Sequence, residues 1–195
     1  TQSLVSIVVF ALLLFWAVGA YNRLVRLKNI IANAFGQIDV QLKRRYDLIP
    51  NLVEVARGYM QHEAATLEAV IKARGQAQGA AATARAAPTN AGAVGALAVA
   101  EGVLGGSLGR LMVVAEAYPE LKADATMQSL SEELASTENR LGFARQAFND
   151  QALDFNNAAQ QFPALIVARL FGFAPAPMLE STRSEEERSA PQVKF

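Results

Sequence analysis

The stretch LKADATMQSLSEELASTENRLGFARQAFNDQALDFNNAAQQF, Leu121–Phe162, decides the fold. Its apolar residues recur every seven positions: Leu134, Leu141, Phe148, Phe155 and Phe162. A second row, offset by three or four, holds Met127, Leu130, Thr137, Ala144 and Ala158. This is a helical seam of heptad period, and no proline interrupts it before Pro163. At 1.5 Å per residue the predicted helix is about 60 Å long. A helix of that length with one apolar face needs partners of similar length. The fold class is therefore all-α, with Leu141, Phe148, Phe155 and Phe162 as structural seam residues and an elongated antiparallel helical bundle around them.

Upstream, Pro119 suits the first turn of a helix, and Tyr118-Pro119 closes the preceding one. That preceding segment, Ala91–Tyr118, is a third helix with Leu97, Leu104, Leu111 and Tyr118 seven apart. It is rich in glycine, which costs about 1 kcal/mol per residue against alanine in a helix. Gly102/Gly106 and Gly105/Gly109 form two GxxxG pairs. They are candidate helix-contact or oligomer residues: a close crossing inside the bundle, or a contact between subunits. A second membrane span is disfavoured, because Glu101 lies mid-segment and Arg110 follows.

Leu48–Ala73 reads as one amphipathic helix that contains His62 and Glu63, and Ala73–Ala87 is expected to fray toward the turn at Pro88-Thr89-Asn90. Asp47-Leu-Ile-Pro50 is the sharpest local signal. Asp47 is a good N-cap and Pro50 is tolerated in a first turn, so a helix starts or restarts there. A kink in a continuing helix and a tight hairpin both fit, with the apolar phase favouring the kink. The basic cluster Lys43, Arg44 and Arg45 reads as a solvated helix face.

Leu4–Tyr21 is an uncharged run of bilayer length, with Leu4, Val8, Leu12, Trp16 and Tyr21 along it. Residues 1–22 are read as an uncleaved transmembrane anchor. A cleaved signal peptide is the rival reading, since Ala17-Val-Gly19 resembles a cleavage site, but no basic residue precedes the apolar core. Arg23, Arg26 and Lys28 follow directly, so the positive-inside rule places the N-terminus outside and the body in the cytoplasm. The bundle domain is assigned to residues 23–173. Phe162-Pro163 opens a short apolar segment ending near Phe173, read as a cap folded onto the bundle end. Residues 174–195 form a charged, proline-containing tail. Its end returns to alternating apolar residues, Val193 and Phe195, which are expected to dock on the assembly.

The composition limits the chemistry. Eighteen basic and eighteen acidic residues balance, so no global field favours nucleic acid. There is no cysteine and a single histidine, which argues against a thiolate, zinc or di-iron site. No nucleophile–base pair or phosphate-cradling loop is apparent, so no catalytic residue, cofactor, metal or small-molecule substrate is assigned. Glu116, Glu138, Arg140 and Arg145 read as buried or edge ion pairs that set helix register.

Several runs resemble signatures of the LemA family: Gln37-Ile-Asp-Val-Gln-Leu-Lys-Arg-Arg-Tyr-Asp-Leu-Ile-Pro-Asn-Leu-Val-Glu54, Ala115-Glu-Ala-Tyr-Pro-Glu-Leu-Lys122, Thr137-Glu-Asn-Arg-Leu-Gly-Phe-Ala-Arg-Gln-Ala-Phe-Asn149, Phe162-Pro163 and Ala-Pro-Gln-Val-Lys-Phe195. The resemblance implies an N-terminal anchor in the bacterial inner membrane and an elongated bundle, with relatives in magnetosome-forming bacteria. It also implies a membrane zinc protease as a frequent genomic neighbour, and it carries over no catalytic residue. The expected function is a single-pass, membrane-anchored helical scaffold that self-assembles and binds partners. The alternative is an adaptor or regulator of a membrane protease. The expected partners are the lipid bilayer and further copies of the chain.

Overall fold

Helix α1 runs without a break over Gln2–Tyr59, 58 residues, in the computed structural model of the chain, which describes residues 2–179. At 1.5 Å per residue it is about 87 Å long. Its N-terminal third is exposed apart from the half-buried Ala11, Ala17 and Ala20, and the first buried side chain is Leu24. From there Ile31, Phe35, Ile38, Leu42, Ile49 and Leu52 face inward. The exposed apolar third therefore passes into the body as one unbroken helix. Asp47 and Pro50 lie inside this helix, so no helix begins at Asp47 and it caps nothing.

The expected helix Leu48–Ala73 is instead two helices. The chain reverses at Met60–Glu63, and α2 spans Ala64–Ala86. His62 and Glu63 stand in the turn. The apolar rows on either side of it, Leu52, Val53 and Ala56 before and Leu67, Val70 and Ala73 after, share one core because the chain folds back. Gly58 weakens the last turn of α1, and the apolar period that continues on both sides masked this break. The second half of α2 does not fray. Ala73, Ala77, Ala81 and Ala84 are buried, and small side chains let α2 lie close against its neighbours.

Helix α3, Ala91–Ala115, is capped by Asn90, whose side chain accepts from the Ala93 N–H at 2.9 Å. Its inner face, Leu97, Leu104, Leu108 and Leu111, packs against α2. A five-residue helix, α4 (Pro119–Ala123), follows with Pro119 in its first turn. The long rod itself is α5, Ala125–Gln160. It starts at Ala125 rather than Leu121 because Asp124 is extended and caps it, accepting from the Met127 N–H at 2.9 Å. Leu141, Phe148 and Phe155 are buried, whereas Phe162 is 81% exposed and contributes nothing to the core. The helical period ends at Gln160, so the last member of the heptad row falls outside the helix.

Helices α1 and α5 run antiparallel, as the pairs Phe35–Phe148, Arg44–Glu133 and Tyr59–Asp124 show. A last short helix, α6 (Ala164–Leu170), closes the end of the bundle against α1 and α5. Gly172, at φ +69°, turns the chain back there, and the Phe173 N–H reaches the Ala168 carbonyl at 2.9 Å. Beyond it the chain is extended and gripped by two asparagines of α5. Asn156 bonds both the N–H and the carbonyl of Ala176, and Asn149 does the same for Leu179. The docking expected of Val193 and Phe195 lies outside the described residues.

Candidate functional site

Helices α2, α3 and α5 all bond to the middle of α1, in the segment Arg44–Pro50. A proline inside a helix leaves the carbonyl four residues back without its N–H partner. Here that carbonyl belongs to Tyr46, and it accepts from Arg74 Nε of α2 at 2.6 Å. The replacement bond lets α1 continue through Pro50 and fixes α2 against it at the same point.

The two residues before Asp47 turn the other way. Arg45, 3% exposed, bonds Glu101 of α3 at 2.7 Å and Glu138 of α5 at 3.1 Å. The Tyr46 hydroxyl donates to the second oxygen of Glu101 at 2.6 Å. Arg145 of α5 approaches Glu101 at 3.6 Å. Burial, and then the Glu101 carboxylate, push the Tyr46 phenol well above its ordinary pKa, so it stays a neutral donor. One residue earlier, Arg44 binds Glu133 of α5. The basic cluster is thus split: Lys43 and Arg44 are exposed, Arg44 reaching Glu133 from the surface, whereas Arg45 is buried and ties α1 to α3 and α5.

Two guanidiniums and two carboxylates here balance in charge, while the buried Arg45 Nε is left without a hydrogen-bond partner. Such a set holds three helices in one register and leaves no activated nucleophile or base. Among the described residues no group of three or more His, Cys, Asp or Glu could hold a metal ion.

Beside this lock a cavity of about 480 Å³ opens between α3 and α5, floored by Ile38, Leu42 and Arg45 of α1. Gly102, Gly105 and Gly106 form its α3 wall, and Leu179 closes one end. A Cβ at Gly102, Gly106 or Gly109 would meet nothing within 4 Å, and one at Gly105 only the Arg45 guanidinium at 3.9 Å. These glycines therefore make no close helix crossing within the chain. Gly105 faces Arg45, while Gly102, Gly106 and Gly109 belong to an exposed row on α3 that edges the cavity, Gly95, Val99, Gly102, Gly106, Gly109 and Val113, with the same heptad period as the inner leucine row and no charge.

The proposed anchor residues Leu4, Val8, Leu12, Trp16 and Tyr21 are all exposed. Among the described residues two helices are long and apolar enough to cross a membrane, α1 near the N-terminus and α3. Glu101 lies level with Arg45, about 36 Å of helix beyond Tyr21, so α3 runs beside the body of α1 and not beside its apolar end.

Sequence reasoning missed Arg74, Asn149 and Asn156, and it used Glu101 only as an argument against a span. Arg74 could have been sought: an uninterrupted helical period through Pro50 demands an outside donor for the Tyr46 carbonyl.

A family model described as the LemA family matches residues 34–195. Magnetosome protein MamQ of Magnetospirillum gryphiswaldense is 35% identical over 82 residues, 42% of this chain and 30% of that protein. Magnetosome proteins MamQ 1 and MamQ 2 of Paramagnetospirillum magneticum are each 33% identical over 81 residues, 42% of this chain and 30% of each relative. The matched region thus spans under a third of the length of these relatives.

Proposed function

The chain belongs to the LemA family, and on that premise we propose that it is a membrane-anchored helical scaffold acting by self-assembly and partner binding at the membrane. The observation that carries this reading is the outer row of α3. A helix in a bundle normally turns polar residues to water. Here Val99 and Val113 are 70% and 72% exposed on a row otherwise made of glycine, where another helix backbone can approach closely. The unbroken α1 supports it further, because a rigid rod transmits the position of the anchor to that surface.

The test is the mass of the purified full-length protein in detergent or nanodiscs, by light scattering. The wild-type chain should be oligomeric. Val99→Glu with Val113→Glu should dissociate it while helicity is retained, since neither side chain is part of the core. A wild-type monomer, or an oligomer indifferent to both charges, would refute this surface. A protease co-purifying in stoichiometric amount with a monomeric chain would favour the adaptor reading.

A further inference from the structure

Helix α6 has the sequence ALIVARL, apolar on every side apart from Arg169. A helix that is hydrophobic all round is ordinarily buried. This one is covered on one side only. Val167 and Ala168 pack on the bundle, while Ile166 and Leu170 are 57% and 77% exposed. Phe162 before it and Phe171 after it are 81% and 57% exposed. Ile166 and Leu170 are four apart in α6 and share one face, and Phe162 stands just before the helix.

The height of this patch along the molecule says what covers it. Phe35 meets Phe148, and α1 and α5 run antiparallel with the same rise. Counting equal steps from that contact toward the anchor brings α1 to Tyr21 and α5 past its end to Phe162. The level is confirmed from the side: the Tyr21 ring lies 4.9 Å from Phe171 and 5.6 Å from Phe173. The exposed patch therefore begins where the exposed apolar span of α1 ends, and the two surfaces are continuous. Around this level the chain places Arg23, Arg26, Lys28 and Arg169, the charges that meet lipid phosphates.

We propose that α6, with Phe162 and Phe171, is an interfacial foot that lies in the headgroup–acyl boundary of the bilayer. Residues 4–21 cross the membrane, and the foot touches it a second time from the side of the body. A single helix leaves a rod free to tilt and to rotate about its axis. A second contact off that axis fixes both, and with them the direction in which the outer row of α3 faces. The inference rests on the reading of α1 as the anchor.

The chain contains no cysteine, so single labels are clean. Leu170→Cys and Ile166→Cys, each carrying an environment-sensitive fluorophore, are placed in full-length protein reconstituted into phosphatidylcholine–phosphatidylglycerol vesicles. Leu12→Cys serves as the in-span reference, and Glu54→Cys, on an exposed stretch of α1, as the aqueous one. Both foot positions should emit to the blue and be quenched by lipids with a nitroxide near the headgroup. Iodide should quench them about fivefold less than position 54, as for side chains sunk at an interface. Iodide quenching equal to that at position 54, with position 12 still lipid-quenched, would overturn the foot and leave the anchor standing. Blue emission without quenching by nitroxide lipid would also overturn it, showing a protein or a second copy on the patch. Position 12 accessible to iodide would remove the anchor and the foot together.

Discussion

Pro50 and Arg74 illustrate how one residue's defect is repaired by another far along the chain. The Tyr46 carbonyl has lost its helical partner to Pro50, and Arg74 supplies the missing donor. Arg74→Ala should destabilise the fold by about 1–3 kcal/mol, the cost of stranding a buried acceptor. Pro50→Ala restores an N–H at that place, so Arg74→Ala should cost markedly less in that background. Urea unfolding of the four proteins of this cycle measures the coupling, and strict additivity would refute the repair. A second residue controls the acid side. Asp124 is held below the usual carboxylate range, first by the Met127 N–H at the start of α5 and next by the Tyr59 hydroxyl at 3.0 Å. A lowered folded pKa means that its stabilisation is fully present above the unfolded value, near 4, and is lost as the pH falls through the folded one. Asp124→Asn keeps a capping oxygen but does not titrate. Its unfolding midpoint should therefore depend less on pH below about pH 4 than that of the wild-type protein. The sequence shows that the Tyr46 carbonyl needs an outside donor if the helix runs through Pro50, but not that Arg74 supplies it or that Tyr59 meets Asp124. Asp47 reads as a cap because it stands three residues before a proline, yet it lies mid-helix, and the cap of α5 is Asp124.

At the scale of elements the heptad rows of α5 and the inner row of α3 were legible, because burial imposes its period on the sequence directly. Leu141, Phe148 and Phe155 are buried for that reason. What was not legible is where a period stops. The turn at Met60–Glu63 interrupts an apolar pattern that continues on both sides, and Phe162 keeps the heptad spacing after its helix has ended. The glycine row of α3 was visible as sequence, but which side of the helix it takes depends on where Glu101 is held. The asparagine latch has no sequence signal of its own. Asn149 and Asn156 are seven apart, so they stand one above the other on α5, about 10.5 Å apart. Ala176 and Leu179 are three apart in extended chain, about 10 Å. The match of these two spacings lets both side chains grip the same strand in full. Asn149→Ala with Asn156→Ala should raise the amide exchange rates of Ala176 and Leu179 by about tenfold or more, as for a locally opened segment. The exchange of the α5 core around Phe148 should be unchanged. Slow exchange at both amides in the double variant would show that other contacts hold the segment.

Over the whole molecule the single helix from Gln2 to Tyr59 makes orientation a property of the entire body. The apolar third of α1 is followed at once by Arg23, Arg26 and Lys28, and Arg169 of the adjoining α6 adds to the same level. Basic residues next to a span are retained on the cytoplasmic side. With no break in α1, the lock at Arg45, the groove beside it and the outer face of α3 must all stand on that same side. We therefore expect the N-terminus outside and the body in the cytoplasm. A cysteine introduced at Glu54, an exposed position of the body, should resist a membrane-impermeant thiol reagent in intact cells and react once the membrane is opened. A cysteine at Gln2 should show the reverse order. Reaction at position 54 in intact cells would place the body outside the membrane. The scaffold and its interfacial foot would survive that result in mirror image, since both depend on the height of the residues along α1 and not on which face of the bilayer they meet.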